Sequence, residues 1–201
     1  MNIRTLLPAV AIVLATALPA AAQQISLNAI SNYLNNLQTA KGAFTQVNDD
    51  GTISTGTIYI KRPGRIRFEY NPPDKQLVLA SGGAVVIYDP KTNEPPETYP
   101  LARTPLSIIL AKNVNLSRAR MVVGHKSDGK STTVKAQDPE HPEYGNIELV
   151  FTANPVELRQ WVINDDGGNR TTVILGELDK KARMNNLLFN PDSALPQGSD
   201  R

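Results

Sequence analysis

The sequence predicts a mainly β protein with a few helices, of the α+β class, in which one large antiparallel sheet curves into a barrel-like shape with its helices on one side. Three observations carry this. From Gly42 onward, ten short runs alternate apolar and polar residues with a period of two. Between those runs stand turn signals such as NDDG, KRPG, NPPD, SGG and SDG. Only two stretches show helical spacing instead, and one of them is very short.

The first element is set aside before the fold begins. Arg4 precedes an apolar run from Leu6 to Leu18, and Ala20-Ala21-Ala22 has the small-residue form of a cleavage site. Residues 1–22 read as a secretory signal, and 23–201 as a single domain starting at Gln23. The apolar run is shorter than the ~20 residues a membrane helix needs. Roughly 180 residues are enough to bury one core. The chain has no cysteine, so an exported fold must stand without disulfides.

Leu27, Ile30, Tyr33, Leu34 and Leu37 then recur at helical spacing behind Ser26, a candidate N-cap, and predict an amphipathic helix that ends near Gly42. GAFTQV, GTIYIK, RIRFEY, KQLVLAS and AVVIYD follow as hairpin-connected strands. The segment from Asp89 to Pro105 contains five prolines and reads as a loop. Thr104 before Pro105 predicts an N-cap and first turn for a short apolar helix through Leu106, Ile108, Ile109 and Leu110. ARMVVGH, STTVKAQ, NIELVFT, ELRQWVIN and RTTVILGEL complete the strands, and the polar end NPDSALPQGSDR is expected to fray.

Alternation assigns faces. Ile58 and Ile60 share one, as do Ile66, Phe68 and Tyr70, opposite Arg65, Arg67 and Glu69. Leu77 with Leu79, Val85 with Ile87, Leu149 with Phe151, Trp161 with Ile163, and Val173 with Leu175 are further pairs. Periodicity alone reads this wide apolar surface as core. Aromatic residues are only 5% of the chain, so an aliphatic lining is expected.

Composition argues against several functions. The signal holds one of the 21 basic residues against 19 acidic ones elsewhere, leaving a near-neutral chain with no clustered patch for nucleic acid. No nucleophile motif, phosphate loop or dinucleotide fingerprint occurs, which speaks against an enzyme and leaves no cofactor implied. His125 reads as a surface residue. Asp138, Glu140, His141 and Glu143 offer metal-ligand chemistry, but Pro139 and Pro142 between them read as a stiff polar loop. Asn115-Leu116-Ser117 and Asn169-Arg170-Thr171 match the glycosylation sequon, which carries little meaning if the signal is bacterial.

The ordered series GAFTQ, GTIYIKRPGRIRFEY, PPDKQLVLASGG, AVVIYDP, the TPL helix, GNIELVF and LRQWVINDDGGNRTTV resembles the LolA family of periplasmic outer-membrane lipoprotein carriers over nearly the whole mature chain. The most specific block is KRPGRIRFEY at Lys61 to Tyr70. The resemblance implies an unclosed antiparallel β-barrel, a half-barrel, with an α-helical lid over an apolar cavity. It turns the apolar face from core into an acyl-chain cavity, with Ile30, Leu34, Leu106, Ile109 and Leu110 as lid residues and Ile108 on the lid's other side. It makes Arg62 the latch whose guanidinium fork holds several lid carbonyls, and Pro63, Arg65 and Arg67 the rim where partners dock, the two arginines as outward, solvated charges. The implied partners are acylated lipoproteins as cargo, an inner-membrane ABC transporter of the LolCDE type, and an outer-membrane receptor of the LolB type, with the carrier a monomer. Related half-barrels also bind lipids or acylated proteins as signals, so a periplasmic sensor module is the alternative.

Overall fold

The computed structural model describes residues 24–92 and 94–194. Residues 1–22, read as a signal, Gln23 and the chain from 195 on lie outside the described residues.

Helix α1 spans Leu27–Asn36, and the Ser26 hydroxyl accepts from the Ala29 N–H at 3.2 Å as its N-cap. It ends earlier than its periodicity suggests. Thr39, Ala40 and Lys41 are drawn into pairing with Lys61, Ile60 and Tyr59, so β1 runs over Thr39–Val47. A strand partner outcompetes the weak helical preference of these residues.

Strands β2 (Ile53–Lys61), β3 (Ile66–Tyr70), β4 (Leu77–Ser81) and β5 (Ala84–Tyr88) continue as a meander. A strand absent from the sequence reading follows: β6, Glu97–Pro100, pairs with β5 within the proline-rich segment. It is short, fully exposed and ends in proline, all properties of a tolerated sheet edge. The chain then crosses through a 3₁₀ turn at Leu101–Arg103 and α2 at Leu106–Leu110. Thr104 does not cap α2; its hydroxyl donates to the Leu101 carbonyl at 2.9 Å, closing the preceding turn. Strands β7 (Val122–Ser127), β8 (Ser131–Gln137), β9 (Asn146–Thr152), β10 (Glu157–Asn164) and β11 (Arg170–Leu175) form the second meander.

All eleven strands lie in one sheet, ordered β6-β5-β4-β3-β2-β1-β11-β10-β9-β8-β7, and every pairing is antiparallel. The two meanders join through β1 and β11. Because β6 and β7 remain as edges, the barrel is unclosed. The segment carrying α2 connects these edges.

The chain just before the end expected to fray is docked, and that end from 195 on lies outside the described residues. A 3₁₀ turn at Asn186–Phe189 lies against β3 and β4 and buries Phe189, and a short α3 follows at Pro191–Ala194.

Candidate functional site

The concave face is set by strand alternation and register. On one wing it carries Phe44, Ile58, Ile60, Ile66 and Phe68, with Val85 buried beside them and Tyr70 and Ile87 at its margin. On the other wing the register Leu149↔Trp161↔Val173 places these three in a row, flanked by Phe151, Leu175 and the half-buried Ile163. A bulge between Leu158 and Gln160 lets Leu158 join the same face.

The wings meet. Strands β3 and β10 stand four strand spacings apart, about 19 Å along the sheet, yet the Phe68 and Trp161 rings are 6.2 Å apart, edge to face. Phe44 packs edge-on against Phe68 at 5.3 Å and Tyr70 at 5.1 Å. The sheet therefore curls into a cup. Its centre is aromatic, contrary to the expected aliphatic lining, because the few aromatic residues converge there. Gly56 makes this possible: a Cβ at that position would stand 2.6 Å from the Phe44 ring and 2.1 Å from the Glu69 carbonyl oxygen. At the margin the Tyr70 hydroxyl donates to Gln46 Oε1 at 2.6 Å, and burial pushes the phenol up to about 12.

Leu77 and Leu79 do not line the cup. They pair with Glu69 and Arg67, which face outward, while their neighbours Val78 and Ala80 pair with Phe68 and Ile66 on the concave side. KQLVLAS alternates too weakly to reveal its phase, since both of its faces are apolar. The convex face has its own apolar patch, and Leu79 is fully buried there.

Helices α1 and α2 close the cup. Ile30, Leu34, Leu106, Ile109 and Leu110 are all buried in the same cluster as its lining. Ile108 is buried as well, at 8% exposure against 4% for Ile109, so this five-residue helix has no apolar position facing solvent. Polar positions of α1 that read as its solvent face are in fact its seam with the lid. Asn35 Nδ2 donates to the Val114 carbonyl at 2.8 Å, and Asn35 Oδ1 accepts from the Val114 N–H at 2.9 Å. Ser31 Oγ accepts from the Leu116 N–H at 2.9 Å while donating to the Leu27 carbonyl at 2.7 Å. An asparagine and a serine at i and i+4 on an amphipathic helix were the available signal, but their partners lie about 80 residues away.

Arg62 follows β2 and is 5% exposed. Its Nη2 donates to the Ala111 carbonyl, just past α2, at 2.5 Å. Its Nε and Nη1 are buried without a partner among the described residues, and burial lowers its pKa. The fork does not grip several carbonyls, as the resemblance implied. The neighbouring lid carbonyl, Leu110, is taken at 2.9 Å by the Gly64 backbone N–H, with Gly64 at φ +70°. Pro63 is exposed at the tip of this turn.

Arg65 and Arg67 are on the convex face, Arg65 half-buried and Arg67 buried rather than solvated. Arg67 is 9% exposed, ion-paired with Glu69 at 2.7 Å, and donates from Nη1 to the Leu188 carbonyl at 3.1 Å. The Arg65 guanidinium lies over the Phe189 ring at 5.9 Å, and Lys61 Nζ donates to the Met184 carbonyl at 3.1 Å. The C-terminal segment covers these charges, and alternation could not foresee the cover. A charge-assisted hydrogen bond contributes about 1.5–3 kcal/mol, so Arg67→Leu is expected to loosen this segment and speed tryptic cleavage after Arg183 about tenfold, with probe binding in the cup unchanged. An unaltered cleavage rate would show that Arg67 does not hold it.

His125 is also not a free surface residue. Its Nε2 lies 2.9 Å from the Ile25 carbonyl, and the Ile25 N–H donates to the buried Thr132 hydroxyl at 2.9 Å, so the β7–β8 hairpin anchors the lead-in to α1. In the DPEHPE loop, Asp138 accepts from the Glu140 and His141 N–H groups, while His141 pairs with Glu143 at 3.0 Å and stacks on Tyr144.

An unclosed half-barrel whose apolar concave face is covered by a hydrogen-bonded helical lid defines a container for apolar groups. Residues 35–192 match the family described as outer membrane lipoprotein carrier protein LolA, and the chain belongs to that family. Its members are periplasmic lipoprotein carriers rather than enzymes. An outer-membrane lipoprotein carrier protein of Azotobacter vinelandii is 26% identical, with 97% of this chain and 95% of that protein covered. Another from Cupriavidus taiwanensis is 27% identical, with 100% and 98% covered. A solved LolA superfamily protein from Nitrosomonas europaea superposes with a TM-score of 0.44 at 8% identity, over 84% of this chain and 99% of that one.

Proposed function

We propose that the described state is the carrier with its lid closed and that its cup takes the acyl chains of a lipoprotein once the lid lifts. On this reading the signal at 1–22 directs export, and the monomer accepts cargo from an inner-membrane transporter of the LolCDE type and passes it to an outer-membrane receptor of the LolB type. The physical need is large. A chain of about fifteen methylenes at ~0.8 kcal/mol each loses on the order of 12 kcal/mol when moved from lipid into water. The cup replaces the bilayer, and the lid keeps its lining from standing open as an adhesive patch.

One observation carries the latch assignment: a buried guanidinium joined to the lid by a single side-chain hydrogen bond, with two of its nitrogens unpartnered. Such a latch closes the lid yet leaves closure only modestly favourable, because unpaired buried donors offset part of the gain. Cargo that binds only the open form can then shift the balance.

The test is a fluorescent fatty-acid probe added to the purified mature protein. Emission is expected to rise on binding and fall when acylated lipoprotein is added, with no effect from the same lipoprotein lacking its acyl chains. A folded protein that binds no probe would overturn the proposal.

A further inference from the structure

Trp161 is the only tryptophan of the chain and is fully buried, flanked on the cup's floor by Leu149 and Val173. Its indole Nε1–H is buried and has no acceptor among the described residues. The ring belongs to the apolar cluster of the cup. A polar group of the same row, Gln46, has its Oε1 occupied by the Tyr70 hydroxyl. Phenylalanine would fill such a site without leaving a donor unpaired, and a native core rarely leaves one so. The same ring also makes the contact with Phe68 that brings the two wings together, so a ligand that parts the wings reaches this N–H.

We infer that the Trp161 indole N–H is a recognition donor for the carbonyl of an ester-linked acyl chain, so that the cup selects acyl over alkyl ligands. This rests on the acyl-chain reading of the cup and adds its polar subsite. An acyl carbonyl drawn into hydrocarbon surroundings is itself an acceptor in want of a donor. Pairing it with Trp161 satisfies two groups that otherwise stay unpaired. A site built around a buried donor also discriminates against a ligand that lacks the matching acceptor. The alkyl ether of the same length has a methylene in place of the carbonyl, so hydrophobic burial slightly favours the ether and an ester preference must come from the carbonyl acceptor.

The experiment compares monopalmitoyl glycerol with the matched monohexadecyl glycerol ether, each displacing a fluorescent fatty-acid probe from the mature protein. Wild type is expected to bind the ester about tenfold more tightly, the ratio that ~1.4 kcal/mol of hydrogen bonding sets. Trp161→Phe is expected to lose the ester preference, binding ester and ether within about twofold of each other whatever its absolute affinity. Because Trp161 is the sole tryptophan, its emission in the wild-type protein gives a second reading that needs no variant: the ester should shift it further to the red than the ether does. Equal wild-type affinities and equal emission shifts would overturn the inference, as would a Trp161→Phe protein that keeps the preference. If the probe itself fails to bind folded wild type, the acyl-chain reading falls and the inference falls with it. Probe binding without ester preference overturns the inference alone.

Discussion

Arg62→Leu is expected to slow delivery of bound lipoprotein to receptor-bearing membranes about tenfold while leaving the fold intact and probe binding no weaker than in wild type. The bond it removes, from Nη2 to the Ala111 carbonyl, is the side-chain contact of Arg62 with the lid. A hydrogen bond from a charged donor contributes about 1.5–3 kcal/mol, and relief of the unpartnered Nε and Nη1 returns part of that. The net shift toward the open form is therefore about 1.4 kcal/mol, or tenfold. The sign follows from linkage. On the proposed reading cargo binds the open form, so weakening the closed one raises apparent affinity and removes the drive that expels cargo on transfer. Arg62→Lys should fall between wild type and Arg62→Leu, because one ammonium can reach one carbonyl and only one is held from this side chain. The measurement is release of labelled lipoprotein alongside equilibrium binding of the same cargo. Release as fast as wild type, with unchanged binding, would remove Arg62 from the latch.

The elements that alternate cleanly were legible in the sequence. RIRFEY, NIELVF and STTVKAQ each put apolar side chains on one face, and the cup holds them there. Where both faces are apolar the phase was hidden, so Leu77 and Leu79 were assigned inward although they pack on the convex side. Strand β6 was hidden for a different reason: its pairing with β5 comes from tertiary context, which the prolines on either side obscure. The arginines divide the same way. Arg62 was singled out by the KRPGRIRFEY block, and it does meet the lid. The partners of Arg65 and Arg67 come from residues about 120 positions later, a contact no local pattern encodes. The lid seam at Ser31 and Asn35 is equally nonlocal, and polar residues on an amphipathic helix give no sign of which backbone they will satisfy.

That seam leads to the second large expected effect. Asn35→Ala removes two hydrogen bonds and leaves the N–H and carbonyl of Val114, a buried residue, without their partner. The cost is about 2–3 kcal/mol, which lowers the melting temperature by roughly 5–10 °C for a domain of this size. Ser31→Ala, which frees only the Leu116 N–H, should cost about half as much. Within one short segment the lid is thus held by side chains from both sides, by Arg62 at Ala111 and by Asn35 at Val114. Groups that hold one mobile segment are coupled rather than independent. Once Arg62→Leu has let the segment open, Asn35 has less closed lid to stabilise. In that background Asn35→Ala should cost at least ~1 kcal/mol less than it does alone, and the double variant should transfer cargo no more slowly than Arg62→Leu. Denaturant melts of the four proteins of this cycle measure the coupling directly. Additivity within about 0.5 kcal/mol would mean that the two tethers hold separate pieces, with Arg62 closing α2 alone and Asn35 serving only to seat α1 on the chain beyond it.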